Sequence, residues 1–426
     1  MEEGIRKKNK LENAILVGVG LRNAGKIEMH ESLEELKHLA LTAGAEVVQV
    51  LHQQLNSINP ATYIGKGKVA ELSELVKQND CQLVIFDDEL SPAQASALEK
   101  KLKCPVIDRT GLILDIFAIH ARTKEAKIQV ELAQNNYLLP RLTGQWTHLE
   151  RQEGAIGARG PGETQLETDR RAVRKRIAKL EKDLKRFDAQ RHVRKAGRTG
   201  FKMVAAIGYT NSRKSTLLNA LSGADTLVED MLFATLDTTV RKVKLNNGTE
   251  ILLSDTVGFI RKLPHDLVAS FRSTLSESIE ADLLIHVVDA SHPNFKAQIE
   301  AVMTVLNEIE IADKPMIMVF NKVDKIEYEE RMSALRKNYP ESIMISALKG
   351  TGLTELKSKI VDIITKSHVT KTVSIPQIDG KLLAYIYSSS NVLEKSEVGD
   401  EIILTFEAPI EVASKIESDI KKLNEY

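Results

Sequence analysis

The sequence has little cysteine, no net charge and no long apolar run. Its two cysteines, Cys81 and Cys104, are too few for a disulfide framework or a zinc site, which fits a reducing cytosol. The apolar stretches are all shorter than a membrane span, and the opening residues, MEEGIRKKNK, are too polar for a signal peptide. We therefore expect a cytoplasmic protein that is not inserted in a membrane.

The charges balance over the whole chain, since 59 Lys and Arg residues face 59 Asp and Glu residues. A nucleic-acid surface must therefore be sought in single segments rather than in the total charge. At 426 residues, of which 42% are hydrophobic, the chain is long enough for two to four domains with cores of their own.

The N-terminal part predicts a small α/β domain. Between Ala14 and Ile107, short β-branched runs alternate with helix-like segments, which favours a parallel sheet. At one turn, Gly65–Lys68 is interpreted as a helix N-terminus with solvated lysines, with a phosphate site as the alternative. At another, Asp87–Glu89 is interpreted as a polar turn that caps the helix beginning at Pro92, with a metal site as the alternative.

The next part of the chain is interpreted as an RNA-facing arm. Apolar residues recur at helical spacing from Gly111 to Pro140, which predicts one long, exposed helix. Residues 142–165 are rich in glycine and contain the only tryptophan, Trp146, so we expect a mobile loop that stacks on and grips RNA; a plain connector is the alternative. The arginines of this loop region are Arg141, Arg151 and Arg159. Residues 166–202 predict a strongly basic helix, which favours binding to a phosphate backbone over a solvated face.

A phosphate-binding loop is predicted where an apolar strand run ends at Gly208 and a helical pattern opens at Lys214. Such a loop wraps a polyphosphate with backbone N–H groups and a helix N-terminus. We expect Lys214 to reach the outer phosphates and Ser215 to bind Mg²⁺, although Arg213 stands where the pattern requires glycine. The loop residues expected to contact the nucleotide are Gly208, Tyr209, Thr210, Asn211, Ser212, Arg213, Lys214, Ser215 and Thr216.

Four further segments suit a guanine nucleotide. Asp255 can hold Mg²⁺ through water, the Gly258 amide can meet the terminal phosphate, and Thr235 can complete the Mg²⁺ shell. Asp324 can accept both N–H donors on the edge of guanine, which adenine lacks, and an amide near Ala347 can donate to the guanine carbonyl. The segments comprise Phe233, Ala234, Thr235, Leu236 and Asp237; Asp255, Thr256, Val257 and Gly258; Asn321, Lys322, Val323 and Asp324; and Ser346, Ala347 and Leu348. In this order they indicate a domain that binds GTP or GDP with Mg²⁺.

Five strings of the sequence resemble the HflX family of GTPases, a member of the Obg-HflX translation-factor class. They are RGPGETQLETDRR (159–171), YIGKGKVAEL (63–72), FDDELSPAQ (86–94), WTHLERQ (146–152) and LFATLD (232–237).

The resemblance covers nearly the entire chain and implies an α/β protein with four parts. These are an N-terminal α/β domain (1–128), a basic helical arm with the glycine-rich loop (129–200), a Ras-like P-loop GTPase domain (201–368) and a small C-terminal α/β domain (369–426). The resemblance also implies a monomeric cytoplasmic factor that binds the large ribosomal subunit and its rRNA, not DNA. Such a factor splits or rescues stalled ribosomes under stress.

The resemblance implies hydrolysis of GTP to GDP and phosphate, with Lys214, Thr235 and Gly258 as catalytic residues. Two positions of this chain affect that expected activity. The family loop reads GYTNAGKST, whereas this chain has Ser-Arg in place of Ala-Gly. If the φ angle of Arg213 is positive, backbone strain of about 1–2 kcal/mol is expected. The affinity for GTP should then be at least about tenfold lower than that of the same loop with glycine at position 213. Phe259 stands where Ras-type enzymes keep a water-orienting Gln, so hydrolysis should be slow unless another group is supplied.

Two other functions remain open on the sequence. The chain could be a ribosome-binding protein that has lost nucleotide control through Arg213, which GTP turnover with and without ribosomes would separate. It could also be an antibiotic-resistance factor that reaches the peptidyl-transferase centre with residues 146–162, which drug sensitivity on deletion would test. The C-terminal piece, 372–426, resembles a small α/β module in which LLAYIYSSS (382–390) and EIILTFEAP (401–409) are strand-like.

Overall fold

The computed structural model describes residues 12–21, 26–144, 161–196, 201–224, 231–233, 235–262, 276–365, 368–376, 380–399 and 401–424. By its internal contacts the chain divides into two units. The first comprises Met1–Arg191, Val228–Asp237 and Val257–Leu275; the second comprises His192–Leu227, Thr238–Thr256 and Ser276–Tyr426. Within the described part of the chain, no helix combines the length and apolar character that crossing a membrane requires.

The first unit contains a four-stranded parallel sheet in the order β2-β1-β3-β4. Its strands are β1 (Glu12–Leu21), β2 (Ala45–Leu55), β3 (Leu83–Phe86) and β4 (Val106–Asp108). Its helices are α1 (Lys26–Thr42), α2 (Lys66–Gln78), α3 (Pro92–Leu102), α4 (Arg109–His120), α5 (Lys124–Leu138) and, as far as Arg191, α6 (Pro161–Ala196). The predicted parallel α/β arrangement of the N-terminal part is confirmed, because each crossover between neighbouring strands carries a helix.

The single long, exposed helix predicted from Gly111 to Pro140 is wrong, since α4 and α5 are separate helices. The chain leaves the helix at Ala121, and the Thr123 hydroxyl then accepts the Ala126 N–H at 3.1 Å to begin α5. Helix α4 is also a core helix, because apolar residues surround it on every side and most of them are buried. The helical spacing continues across the short break, so the pattern could not reveal it.

The acidic turn Asp87–Glu89 does not cap α3 as predicted. The cap is Ser91, whose hydroxyl accepts the Gln94 N–H at 3.2 Å while the Gln94 side chain accepts the Ser91 N–H at 2.9 Å. Asp87 is instead 3% exposed and accepts from the Arg109 guanidinium at 2.8 Å. Burial needs a charged partner for a carboxylate, and α4 supplies it.

The second unit contains a six-stranded sheet in the order β10-β9-β8-β5-β7-β6, parallel except for β6. Its strands are β5 (Lys202–Gly208), β6 (Thr239–Lys244), β7 (Glu250–Asp255), β8 (Leu283–Asp289), β9 (Met316–Asn321) and β10 (Ile343–Met344). Its helices are α7 (Lys214–Ser222), Ser276–Glu280, Phe295–Glu308, Glu329–Asn338 and Leu353–Thr365. The central strand β5 directs Gly208 to the edge where the neighbouring parallel strands also end, which is the edge where such sheets bind ligands.

The C-terminal part of the second unit has a three-stranded antiparallel sheet in the order β11-β13-β12. Its strands are β11 (His368–Pro376), β12 (Asn391–Val398) and β13 (Glu401–Pro409), and its helices are Gly380–Ser389 and Ile410–Asn424. The strand predicted for residues 382–390 is wrong. Leu382 and Ile386, four residues apart on one face of the Gly380–Ser389 helix, pack into the core with Phe406, and this burial overrides the β-propensity of the run.

Candidate functional site

The loop between β5 and α7 turns so tightly that it requires a residue without a side chain at its start. Gly208 has φ 149°, and a Cβ built there would lie 2.2 Å from the Val287 carbonyl oxygen. The backbone then becomes left-handed at Asn211 (φ 60°) and again at Arg213 (φ 65°), directly before α7 begins at Lys214. Arg213 therefore has a positive φ angle, at which a residue other than glycine is strained.

Lys214 is folded into this loop. Its side chain is 6% exposed, and its Nζ donates to the carbonyl oxygens of Gly208 at 3.2 Å and Tyr209 at 3.0 Å. Burial lowers the pKa of Lys214 to about 8, while the Asp255 carboxylate acts in the opposite direction. A desolvated ammonium of this kind is stabilised by an anion, so the loop suits a phosphate group.

A hydroxyl and a carboxylate meet beside Lys214. The Ser215 hydroxyl donates to Asp255 Oδ2 at 2.5 Å, and Asp255 is 1% exposed at the end of β7. The following residue, Thr256, fixes the strand end by donating from its hydroxyl to the Ala206 carbonyl at 2.8 Å. Hydroxyl and carboxylate oxygens are the hard donors that Mg²⁺ prefers, so this pair fits a magnesium ion.

Asn321 joins three of the predicted segments. Its Nδ2 donates to the Ser212 carbonyl at 2.9 Å, which ties the end of β9 to the phosphate loop. Its Oδ1 accepts the N–H groups of Lys322 at 2.8 Å and Ala347 at 2.9 Å. Asn321 is 1% exposed, so this buried amide sets the distance between the phosphate loop and the two segments expected to hold the base.

Asp324 is held as an ionised acceptor. Its Oδ1 accepts the Ser346 hydroxyl at 2.6 Å, and Ser346 Oγ accepts the Lys349 N–H at 3.1 Å. The Ser346 hydrogen bond is the main reason why the pKa of Asp324 lies below its usual value. A charged carboxylate at this position can accept the two N–H donors of a guanine edge.

Sequence reasoning did not single out two polar residues of β8. Asp289 accepts from Lys322 Nζ at 2.7 Å; burial raises the pKa of this carboxyl, but the charge and hydrogen bond of Lys322 and the hydrogen bonds of Ser291 together hold the pKa below its usual value. His286 is 1% exposed, and burial, followed by the Lys214 charge, lowers its pKa to about 4. The only signal in the sequence was a polar letter within or directly after an apolar strand run.

Three predicted contact residues before β6 have side chains that pack within the first unit. Phe233 is 2% exposed and meets the Phe117 ring edge-on at 4.8 Å between centroids, and Leu236 is 1% exposed. The Asp237 carboxylate accepts hydrogen bonds from Thr123. Contact with a nucleotide would therefore come from the main chain or from Thr235, while Ala234 lies outside the described residues.

The segment that begins at Val257, two residues after β7, is also in the first unit. Val257, Phe259 and Ile260 are all 8% exposed or less. A buried phenyl side chain directly after Gly258 offers no group that could orient a water molecule.

The predicted RNA-facing arm is described only in part. Trp146, Arg151 and Arg159 lie outside the described residues. Arg141 is not available for RNA as predicted, because its guanidinium stacks on the Tyr137 ring and pairs with the buried Asp108 carboxylate at 3.0 Å. Among the α6 side chains that the structure describes, the exposed basic ones are Arg171, Arg174, Lys175, Arg176, Lys179, Lys182, Lys185 and Arg186.

Three family models match consecutive parts of the chain. They are GTP-binding GTPase N-terminal at residues 30–118, GTP-binding GTPase Middle Region at 120–198 and 50S ribosome-binding GTPase at 203–322.

Curated relatives match most of the chain. The GTPase HflX of Flavobacterium psychrophilum is 47% identical over 381 residues, covering 84% of this chain and 92% of that protein. The GTPase HflX of Escherichia coli is 45% identical over 360 residues, covering 84% of each chain. A GDP complex of a GTP-binding protein from Sulfolobus solfataricus is 28% identical, covers 83% of this chain and 99% of that one, and has a TM-score of 0.45.

Proposed function

Because this chain belongs to the HflX family and is a GTPase, we propose that it binds the large ribosomal subunit and splits or rescues stalled ribosomes under stress. In this proposal it acts as a monomer in the cytoplasm and contacts rRNA rather than DNA. Nucleotide binding and ribosome binding are coupled through the loops that carry Thr235 and Gly258.

The observation that supports nucleotide binding is a group of hydrogen bonds at the strand ends of the second unit. Ser215 and Asp255 stand at one end, Asn321 links the phosphate loop to the base segments, and Asp324 stands at the other end. An elongated ligand with phosphates at one end and a guanine at the other matches this order of groups.

The roles of the residues follow from their chemistry. Lys214 would bind the outer phosphates, and Ser215 and Asp255 would hold Mg²⁺. Thr235 would join them when a third phosphate is present, and the Gly258 amide would donate to that phosphate. When bound, Mg²⁺ neutralises negative charge on the phosphate oxygens.

Phe259 makes hydrolysis dependent on a further group. Because the phenyl ring can neither accept a proton nor orient water, the isolated protein turns GTP over slowly. The ribosome is the proposed source of the missing group or of the ordering that supplies it. The match of residues 203–322 to a model named 50S ribosome-binding GTPase supports the large subunit as that source.

The exposed basic face of α6 supports an rRNA partner. Over Arg171–Arg186 this face carries many more cations than anions, and a phosphate backbone is a partner that such a face attracts in a salt-dependent way. Three arginines of this face have acidic partners: Glu131 accepts from Arg176 at 2.5 Å and 2.6 Å, Asp183 lies 3.5 Å from Arg186, and Glu167 lies 3.9 Å from Arg174.

The experiment measures GTP turnover and subunit separation on sucrose gradients, with the purified chain alone, with 50S subunits and with 70S ribosomes. The proposal expects many-fold faster turnover with 50S subunits and conversion of 70S particles to free subunits only with GTP or an unhydrolysed analogue. An Asp324→Ala variant should lose both effects. Ribosome binding with background turnover would instead favour a binding protein without nucleotide control, the alternative that Arg213 suggests.

A further inference from the structure

The roles proposed for the phosphate loop give no function to the side chain of Arg213. It precedes α7 in a left-handed conformation (φ 65°, ψ 42°), and its side chain makes no capping hydrogen bond to the helix. The residue is only partly exposed, and its Nη1 atom is buried without a hydrogen-bond partner among the described residues. A buried guanidinium nitrogen of this kind is costly unless an acceptor is brought to it.

The backbone of Arg213 lies next to a residue that is bonded to the Asn321–Asp324 segment. The preceding residue, Ser212, is tied through its carbonyl oxygen to Asn321 Nδ2 at 2.9 Å. Asn321 belongs to the same segment as Asp324, so Arg213 leaves the loop beside the segment that is proposed to recognise the base. The Ser212 hydroxyl is likewise buried without a partner in the described part of the chain, which leaves polar atoms at this junction unsatisfied.

The charge of Arg213 contributes to the lowered pKa of Asp324. The pKa of Asp324 is lowered first by the Ser346 hydrogen bond, and the nearby charges of Lys349 and Arg213 lower it further. Ser346 bonds to one carboxylate oxygen, Oδ1. The charge of Arg213 therefore acts on the carboxylate that is proposed to recognise the base.

A guanine base and the Arg213 guanidinium offer similar patterns of hydrogen-bond donors to the Asp324 carboxylate. A guanine edge offers a ring N–H and an exocyclic amine in one plane, and a carboxylate accepts both. A guanidinium is also planar and offers parallel N–H donors that match a carboxylate. One carboxylate cannot satisfy both sets of donors at once.

We propose that Arg213 is an internal competitor of guanine: its guanidinium shares the base half of the site and must withdraw from the neighbourhood of Asp324 when a guanine nucleotide binds. The proposal rests on the guanine site described under the proposed function. It makes Arg213 a determinant of base affinity rather than a simple obstruction of the phosphate loop. The strain at its φ angle adds to this effect but does not depend on the base.

Two probes separate the two halves of the site. The nucleotide-free full-length chain is titrated by calorimetry in the presence of Mg²⁺. The affinity for GDP tests the whole site, and the affinity for inorganic pyrophosphate tests the phosphate half alone. Arg213→Ala keeps a Cβ at the strained position but removes the guanidinium. Arg213→Gly removes both, and Arg336→Ala, at an exposed helical arginine, is the matched control.

The competitor role predicts that Arg213→Ala binds GDP at least about tenfold more tightly than the parent, a difference of 1.4 kcal/mol. Pyrophosphate affinity should stay unchanged in the same variant, and Arg336→Ala should change neither affinity. Arg213→Lys, which keeps the charge but loses the planar pair of donors, should recover only part of the gain.

Three results would overturn the inference. Equal GDP affinity in Arg213→Ala and the parent would show that the guanidinium does not compete. A parallel gain in pyrophosphate affinity would place the obstruction at the phosphates instead. Binding of pyrophosphate but not GDP by every variant would remove the guanine site itself, whereas tight GDP binding without ribosome splitting would count against the proposed function alone.

Discussion

The carboxylate of Asp237 fastens to Thr123, a residue 114 positions earlier in the chain. Its Oδ2 accepts the backbone N–H groups of Arg122 at 2.8 Å and Thr123 at 3.0 Å, and its Oδ1 accepts the Thr123 hydroxyl at 2.5 Å. The same hydroxyl accepts the Ala126 N–H at the start of α5. The segment that carries Thr235 is therefore anchored to the N-terminal end of a helix.

Removing this anchor should destabilise the first unit. Asp237→Ala leaves two backbone N–H groups and the Thr123 hydroxyl without their acceptor, so we expect the free energy of unfolding to fall by about 1–2 kcal/mol. Urea denaturation of the full-length protein measures the change. Asp313→Ala, at an exposed carboxylate, is the control and should stay within about 0.5 kcal/mol of the parent. Equal unfolding curves for the two variants would refute the anchoring role.

The sequence predicted which strand ends share an edge of the sheet better than it predicted the contacts between distant segments. Gly208, Asp255 and Asn321 each end an apolar strand, and parallel strands bring such ends to one edge of a sheet. Local pattern is enough for that inference. The contact of Asp237 with Thr123 has no local signature, because it depends on where two loops meet in the folded chain.

The errors in secondary structure have the same origin. The break between α4 and α5 comprises only residues 121–123, and apolar residues recur at helical spacing on both sides of it. The run that begins at Leu382 has β-propensity, yet burial of Ile386 against a sheet selects a helix. In both cases packing against the rest of the chain, which a single sequence does not display, decided the outcome.

The buried carboxylate of Asp87 should contribute strongly to stability at neutral pH. It accepts from Arg109 Nη1 at 2.8 Å, from the Ser32 hydroxyl at 2.7 Å and from Lys262 Nζ at 2.5 Å. We expect Asp87→Asn to lower the free energy of unfolding by about 3 kcal/mol, because two cations lose their buried counter-charge. Glu71→Gln, which breaks the exposed pair with Lys68, should cost under about 1 kcal/mol.

The Asp87 contribution should also depend on pH in a defined direction. Burial raises the pKa of this carboxyl, but Arg109, Lys262 and Ser32 outweigh burial and hold the pKa below its usual value. A depressed folded pKa stabilises the protein above the unfolded value of about 4, and this stabilisation is lost as pH falls through the folded pKa. Urea midpoints of the parent and Asp87→Asn should therefore converge below about pH 4. A constant difference down to pH 3 would contradict the assignment.

Gly208 of the phosphate loop should be harder to replace than Gly248, a glycine in the turn between β6 and β7. An alanine Cβ there would lie 2.2 Å from the Val287 carbonyl and also require φ 149°, so the loop must shift. At Gly248, where φ is 86° and the space is open, alanine should cost only the backbone strain of about 1–2 kcal/mol. We expect Gly208→Ala to lose GDP binding and at least twice as much stability as Gly248→Ala. Thermal unfolding and GDP titration of both variants measure this, and equal losses would refute it.

The Ser215 hydroxyl should account for the metal dependence of nucleotide binding. Ser215→Ala removes a proposed Mg²⁺ ligand and the 2.5 Å bond to Asp255 but leaves the loop backbone intact. GDP affinity of this variant should be the same in excess Mg²⁺ and in chelator, whereas the parent should bind more tightly with the metal. Ser222→Ala removes a hydroxyl that bonds to the carbonyls of Leu218 and Asn219 and accepts from Arg241, away from the proposed metal ligands, so it should keep the parent's metal dependence. Retained metal dependence in Ser215→Ala would exclude the hydroxyl as a ligand.

The exposed lysines of α6 should determine the salt dependence of ribosome binding. Lys182→Glu and Lys185→Glu reverse charges on the exposed face, so affinity for 50S subunits should fall, and the slope of log affinity against log salt should decrease by about one for each phosphate that the variant no longer binds. Glu131→Gln frees Arg176 from its bidentate partner and should leave binding unchanged or strengthen it. Co-sedimentation with 50S subunits across a salt series measures these slopes. If charge reversal at Lys182 and Lys185 leaves both affinity and slope at the parent's values, α6 does not contact rRNA.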